Sequence, residues 1–535
     1  MAFFVDEITT CMKKYIVSVI IILGFCGSSY TQDFVKGKVY HDIDNNGKLD
    51  KKDKGIEGVS VSNGVDVVQT DKNGFYELPI SEDAIIFVIK PANYSLPIND
   101  RYQPQFYYIH KPKGSPELKY AGVAPTGRLP KSVDFGLVKE QGESSNFLAM
   151  IFGDSQPYNK AEVAYFKKAI VDEAVKTKGE ALFGLTLGDL VGDDLSLHDD
   201  YKEAIAGVAL PWFNVMGNHD MNYDVDVDSL SDEAFERSFG PNNYSFNYGN
   251  AHFIVLDDII YPNPYTGKGY IGGFRKSQLD FVENDLKFVP KDKLVVISYH
   301  IPLFGDENVF RQEDRKRLFS ILKDFPHVLG LSAHTHFQTQ FYCGEDDGWQ
   351  GNKPYHEYNV GTTNGDWYSG AMDEMGTPTS TMRDGTPKGY AFLRINGNQY
   401  SFDYKVAGKD NSYQIEIAAP DYIYQGQSHR YPVYANFFVG KEGDKVEYRI
   451  NGGEWKDMQY AEETDPLYLD NLYLWDLAKE PIEGKRPSNP VLSSHLWKAS
   501  LPRWEVGTYV LEVRATDMFG KTFLQSKTIK VIAEK

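Results

Sequence analysis

The chain reads as an α/β core carried between two all-β modules, and three observations predict this. Five short apolar runs between residues 147 and 333 are continuous rather than alternating, the pattern of strands buried on both faces. Helix-like segments, from Lys160 to Lys178 and from Glu313 to Asp324, lie between such runs. On either side, apolar and polar residues alternate with a period of two and are broken by Gly and Asn turns, as in β-sandwiches.

The N-terminus comes first. Lys13-Lys14 followed by the apolar stretch Tyr15 to Cys26 has the plan of a secretory leader. Its apolar core is well short of the ~20 residues a membrane span needs, so no transmembrane span is expected. Asp6 and Glu7 are out of place before a leader, which points to Met12 as the true start and residues 1–31 as the leader. Cleavage near Ser28-Ser29 fits the small-residue rule. The alternative is a lipid anchor on Cys26, against which Phe25 is bulky for such a processing site. The expected location is export to the periplasm or cell surface of a Gram-negative bacterium. Of three cysteines, Cys11, Cys26 and Cys343, only the last lies beyond the leader, so no internal disulfide is expected.

With 535 residues the chain exceeds one ordinary core. It carries 56 basic and 75 acidic residues, a net charge of −19. An acidic surface disfavours nonspecific binding to nucleic acid, and no such partner is expected.

Residues 33–138 form the first module, a β-sandwich. It opens with Asp42-Ile-Asp44-Asn-Asn46-Gly47-Lys48-Leu-Asp50-Lys-Lys-Asp53. Asp42, Asp44, Asn46, Lys48 and Asp53 stand at the ligand spacing of an EF-hand calcium loop, with Gly47 at its turn. No helix pattern flanks the loop, so calcium competes with an ordinary Asx-rich turn.

Residues 145–406 form the core, and each apolar run in it ends in polar residues. Phe147–Phe152 leads to Asp154 and Gln156, and Leu182–Leu187 to Asp189 and Asp193. The run from Phe213 ends in Gly217-Asn218-His219-Asp220. Leu294–Tyr299 ends at His300, and Val328–Ala333 at His334-Thr335-His336. Ligands of α/β layers collect at the carboxyl ends of strands, so two Asp, a Gln, an Asn and several His converge. Gly389–Ile395 and Gln399–Tyr404 close the core as a hairpin turned at Asn396-Gly397. The stretch 346–388 lacks apolar periodicity and reads as a long functional loop. Trp367, Tyr368, Arg383 and Lys388 are its candidates for substrate contact. Residues 410–535 alternate as an immunoglobulin-like sandwich, with no catalytic cluster.

In their order along the chain, Asp154-x-Gln156, Gly188-Asp189, Gly217-Asn218-His219-Asp220, His300 and His334-Thr335-His336 resemble the calcineurin-like metallophosphoesterase family. The two outer modules resemble those of secreted three-part members from Bacteroidetes-like bacteria. The resemblance implies a four-layer αββα core flanked by two all-β sandwich domains, and two divalent transition metals (Mn, Fe or Zn) ~3.5–4 Å apart. It implies that Asp189 bridges both ions. Asp154, Gln156 and His336 complete one site, and Asn218, His300 and His334 the other. It implies hydrolysis of a small phosphomonoester or phosphodiester by a metal-bridging hydroxide, with His219 contacting the phosphoryl group. Asp193 and Asp220 both stand as partners that could orient His219. The family's first motif is Asp-x-His, and Gln156 departs from it, offering a poorer ligand than imidazole. That departure keeps a second reading open: a non-catalytic surface or glycan-binding protein with a degenerate metal site. No tyrosine follows Asp154 at the spacing of a tyrosinate–iron centre, and no Gly-x-Ser-x-Gly elbow is present.

Overall fold

The computed structural model describes residues 33–140 and 145–533. The leader, Met12 and Cys26 lie outside these residues. Among the described residues, no helix is long and apolar enough to cross a membrane.

Two mixed sheets face one another in the core. The first runs Trp212–Asn214, Ala181–Thr186, Asn146–Phe152, Gly389–Asn396, Gln399–Val406. Its first three strands are parallel, and the closing hairpin returns antiparallel, with Asn396 opposite Gln399. The second runs Tyr244–Tyr248, Ala251–Val255, Leu294–Ser298, Val328–Ser332, Tyr355–Asn359, Thr339–Cys343. Parallel pairing holds from Ala251–Val255 through Tyr355–Asn359, with an antiparallel strand at each edge.

Aromatic rings fill the seam between the sheets. Phe213 stacks on Phe246 at 4.0 Å, Phe183 on Tyr248 at 4.5 Å, and Phe246 on Phe253 at 5.0 Å. Each such ring, fully buried, stabilises the fold by roughly 1.5–3 kcal/mol. Helices cover the outer faces. On the first sheet, Phe166 of Lys160–Phe166 stacks on Tyr201 of His198–Ala206, and Asn159 caps the former by accepting from the Ala161 and Glu162 N–H groups. The helical stretch continues through a π turn, Lys167–Val171, to Thr177. On the second sheet, Phe319 of Gln312–Leu322 packs 5.1 Å from Tyr355. This is the four-layer αββα core flanked by β-rich regions.

The strand Tyr355–Asn359 corrects the sequence reading of 346–388 as a long loop. All five of its residues are buried, but His356 and Glu357 break the apolar run that would have revealed it. His356 is a core residue, bonded to the Tyr400 hydroxyl and Gln340. Cys343 is buried and free, and burial pushes its thiol well up.

In the first module, Asp33–His41 pairs antiparallel with Phe75–Ile80 and parallel with Phe135–Lys139, while Ser60–Ser62, Val67–Gln69, Ala84–Val88 and Tyr107–His110 form a facing sheet. It docks through buried Lys90, whose Nζ lies 3.8 Å from the Tyr248 ring centre and donates to the Asn247 carbonyl. The loop from Asp42 to Asp53 closes on itself. Asp42 accepts from the Asn46 and Gly47 N–H groups, Asp53 from Ile43 and Asp50, and Asn46 from Lys48. These are the side-chain to backbone bonds of an Asx-rich turn.

The last module holds two sheets around its own core of Phe437, Trp497, Leu511, Val513 and Phe523. Fully buried His495 joins it to the core, bonding Asn436 on one side and Asp384 on the other.

Candidate metal centre

Six parallel strand ends open onto one place. Asn146–Phe152 delivers Asp154, Ala181–Thr186 delivers Asp189, and Trp212–Asn214 delivers Asn218 and His219. Leu294–Ser298 delivers His300, and Val328–Ser332 delivers His334 and His336. The sixth, Tyr355–Asn359, leads into the loop of Asn364 and Trp367.

The backbone is bent to achieve this. Among the described residues, seven of the twelve non-glycine residues with positive φ lie in these strand-end turns and the loop beside them: Gln156, Asp189, Asp193, His334, His336, Trp367 and Tyr368, with φ from 36° to 71°. Such conformations cost on the order of 1–3 kcal/mol each and persist where the surroundings over-determine them. Two glycines make the close approach possible. A Cβ on Gly217 would sit 2.1 Å from the Asp189 nitrogen, and one on Gly188 would sit 2.4 Å from His300 Nδ1.

The donor atoms converge. His300 Nε2 lies 3.3 Å from Asp189 Oδ2, 3.2 Å from Asn218 Oδ1 and 3.1 Å from His334 Nδ1. His336 Nε2 lies 3.2 Å from Asp154 Oδ2. Among the described residues, Asp189, His300 and His334 form the group of acidic and imidazole side chains close enough to share an ion. The tautomers are set from behind. His300 Nδ1 donates to the Leu187 carbonyl at 2.8 Å, and His336 Nδ1 to the Gly365 carbonyl at 2.9 Å, so each Nε2 faces the cluster. Asp258 holds the His300 turn by accepting from the His300 and Ile301 N–H groups.

The cluster fits a cation. Asp154 Oδ2 is fully buried with no hydrogen-bond donor, which is costly unless an ion lies against it. Burial opposes a proton on His300, yet the Asp189 and Asp154 carboxylates hold its pKa up to about 10. Burial, and the charge of His300, pull His334 down to about 4, leaving a neutral imidazole. The pocket thus draws positive charge to its carboxylates and keeps a free nitrogen beside them.

Gln156 is fully buried in the same group. Its Oε1 accepts from Asn364 Nδ2 and its Nε2 donates to the Tyr158 hydroxyl, both at 3.3 Å. Asn364 escaped the sequence reading. Its only signal was a Gly-Thr-Thr-Asn-Gly run, visible as a strand end once Tyr355–Asn359 is recognised.

The structure separates the two acids proposed to orient His219. Asp193 Oδ1 accepts from His219 Nδ1 at 2.7 Å. Asp220 turns away: it is fully buried and accepts from the Leu190, Val191 and Gly217 N–H groups, locking the turn. Burial opposes protonation of His219, but the Asp189 charge and the Asp193 bond raise its pKa to about 9.

The loop candidates divide likewise. Trp367 stacks on His336 at 4.0 Å, and Arg383 lies 5.5 Å over the Trp367 ring while its guanidinium donates to the Thr335 carbonyl between the two histidines. Tyr368 and Lys388 are corrections. Both are buried and bonded to backbone, Tyr368 to the Ser155 carbonyl and Lys388 to the Pro378 carbonyl, which leaves neither facing the cluster. Tyr158 and Tyr270 complete an aromatic rim, 5.9 Å from His219 and 6.2 Å from His334.

Residues 149–338 match the family model of calcineurin-like phosphoesterases, residues 43–120 that of the N-terminal part of calcineurin-like phosphoesterases, and residues 357–523 that of the C-terminal part. No curated protein matches the chain. Among solved structures, a dimetal phosphatase from Danio rerio is 14% identical, covering 48% of this chain and 95% of its own, with a TM-score of 0.33. A metallophosphoesterase from Sphaerobacter thermophilus is 15% identical over 49% of this chain and 89% of its own, at 0.22. A purple acid phosphatase from yellow lupin is 13% identical over 70% and 66%, at 0.34. At such distances no residue is carried across.

Proposed function

Because the chain belongs to the calcineurin-like phosphoesterase family, we propose that it hydrolyses a small phosphomonoester or phosphodiester at the strand-end cluster, and does so after export. Asp189 would serve both ions of such a centre. Asp154, Gln156 and His336 would hold one, and Asn218, His300 and His334 the other. Imidazole and carboxylate suit Mn, Fe or Zn. Two such ions, when bound, supply the charge that acidifies water and neutralises phosphoryl oxygens.

The chain's own residues do the rest. Asp193 fixes the His219 ring with its remaining nitrogen free to face the substrate. His219, bonded to the Asp193 carboxylate, contacts the phosphoryl group and hands its proton to the leaving oxygen. The oxygen of water forms the new bond to phosphorus and releases a proton to solvent, the ester P–O bond breaks, the alcohol departs with the His219 proton, and His219 regains a proton from solvent. Arg383 and the aromatic rim sit where the leaving group passes.

The observation that carries this reading is the orphaned, fully buried Asp154 Oδ2 within a histidine and carboxylate cluster. The engagement of Gln156 by Asn364 favours the second reading, a non-catalytic binder with a weakened site. Turnover of bis-p-nitrophenyl phosphate and p-nitrophenyl phosphate separates them, using Mn-loaded and chelator-stripped protein with Asp189→Asn as control. Metal-dependent turnover lost in the control supports the enzyme. Absence of turnover with Mn, Fe and Zn supports the binder.

A further inference from the structure

The turn that carries Asn218 and His219 is followed at once by a tyrosine that reaches back to it. The Tyr223 hydroxyl donates to the Asn218 carbonyl at 2.5 Å. That carbonyl belongs to the peptide joining Asn218 to His219. The N–H of the same peptide donates to Asp189 Oδ1 at 2.9 Å. A peptide unit is planar, so bonds at its two ends fix the plane, and with it the backbone from which the His219 side chain leaves. The Tyr223 hydroxyl also lies beside the Asp193 carboxylate. One oxygen therefore touches both supports of His219: the peptide that carries it, and the acid that accepts from its Nδ1.

Tyr223 is itself held. Its carbonyl accepts from the Tyr261 hydroxyl at 2.7 Å, and the Tyr261 ring meets its own edge-on at 5.7 Å. The preceding residue, Asn222, is fully buried. Its side chain accepts from the Ala234 N–H and donates to the Tyr120 carbonyl of the first module, and its N–H donates to the Ser231 carbonyl. The tyrosine thus leaves a backbone pinned from several sides, and its bond to Asn218 is built into the turn.

In the reaction proposed above, His219 gives a proton to the leaving oxygen. Such a transfer needs the two atoms within ~2.6–3.2 Å, and a misplacement of about 1 Å costs on the order of a hundredfold. We infer that Tyr223 is a positioning residue: its hydroxyl locks the Asn218–His219 peptide against Asp189 and stands against Asp193, which aims His219 at the leaving oxygen. The inference rests on the phosphoesterase reading above.

Esters that differ in their need for the proton test this. p-Nitrophenolate is a stable anion and departs without a proton, whereas phenolate departs far more readily with one. Both leaving groups are measured as monoesters and as diesters. The Mn-loaded full chain is compared with Tyr223→Phe, His219→Ala and the double variant, and circular dichroism and bound Mn per chain are recorded for each. The Tyr223 ring is 38% exposed and Phe retains it, so the fold is kept. Tyr223→Phe lowers kcat on phenyl esters by about tenfold or more and on p-nitrophenyl esters by about twofold or less, with KM and bound Mn unchanged. In the His219→Ala background the same substitution has no further effect on phenyl esters, because it acts through that ring. Equal losses on the two leaving groups, an unchanged kcat on phenyl esters, or a loss that adds in full to that of His219→Ala overturns the inference. A fall in bound Mn with Tyr223→Phe also overturns it, making the hydroxyl a support of Asn218 as a ligand instead. No turnover of any ester by the wild type overturns instead the phosphoesterase reading.

Discussion

Two oxygen-rich loops of this chain look alike in sequence and behave oppositely in structure. Asp42 to Asp53 has acidic and amide residues at the spacing of a cation loop, but they turn back on their own backbone: Asp42 alone accepts two N–H groups, and Asp53 two more. At the strand ends, Asp154 Oδ2 has no donor, His300 and His336 direct their Nε2 atoms inward, and the backbone adopts positive φ at residue after residue. An Asx turn spends its oxygens to stabilise itself. The strand-end cluster keeps Asp154 Oδ2 without a donor, buried beside the imidazole of His336, and the surrounding fold sustains the cost.

Replacing Asp189 breaks the comparison most severely. Asp189→Asn removes the carboxylate 3.3 Å from His300 Nε2, and kcat/KM on aryl phosphates falls by roughly a thousandfold, with metal content measured in parallel dropping below the wild-type value. Next comes Asp193→Asn, which removes the group orienting His219. As with other outer partners of a reactive ring, the loss is roughly tenfold to a hundredfold. His219 must be protonated to give up its proton, and Asp193 helps hold its pKa up at about 9. Without that carboxylate the pKa falls, so the alkaline limb of the kcat–pH profile moves to lower pH; an unmoved limb would assign the proton to another group.

Gln156→His sharpens the contrast by adding an imidazole where the amide now bonds Asn364. Competition with a chelating dye should show about tenfold tighter metal binding. Equal affinity would mean that position 156 does not face an ion. Smallest is Asp42→Asn in the outer loop. It weakens backbone bonds worth about 1 kcal/mol each, lowering Tm by a few degrees with turnover intact, and added calcium leaves the Tm of the wild type unchanged. A calcium-dependent rise in Tm would show that the outer loop also holds an ion.

Much of this contrast was legible before the fold was known, and the limits of that reading have physical causes. The ligand set stood out because five apolar runs stop at Gly-Asp, Asn-His, His or His-x-His together, where any one of them alone reads as ordinary turn chemistry. The choice between Asp193 and Asp220 was not legible, because both are close to His219 along or across turns and only the fold shows which carboxylate the backbone already holds. Tyr368 and Lys388 looked like loop side chains, yet the hidden strand Tyr355–Asn359 draws that stretch into the core. The strand was masked by His356 and Glu357, polar residues buried with partners, which periodicity counts as exposed. Asn364 and the stacking of Trp367 on His336 went unread for the same reason.

The central claim is a two-ion site at the strand ends, and counting ions tests it most directly. Calorimetric titration of Mn into chelator-stripped full-length protein should show two bound ions, with binding reduced in Asp189→Asn and in Asp154→Ala and unaffected by Asp42→Asn. Binding that survives Asp189→Asn and Asp154→Ala but disappears with Asp42→Asn would place the cation site in the outer loop and contradict the account.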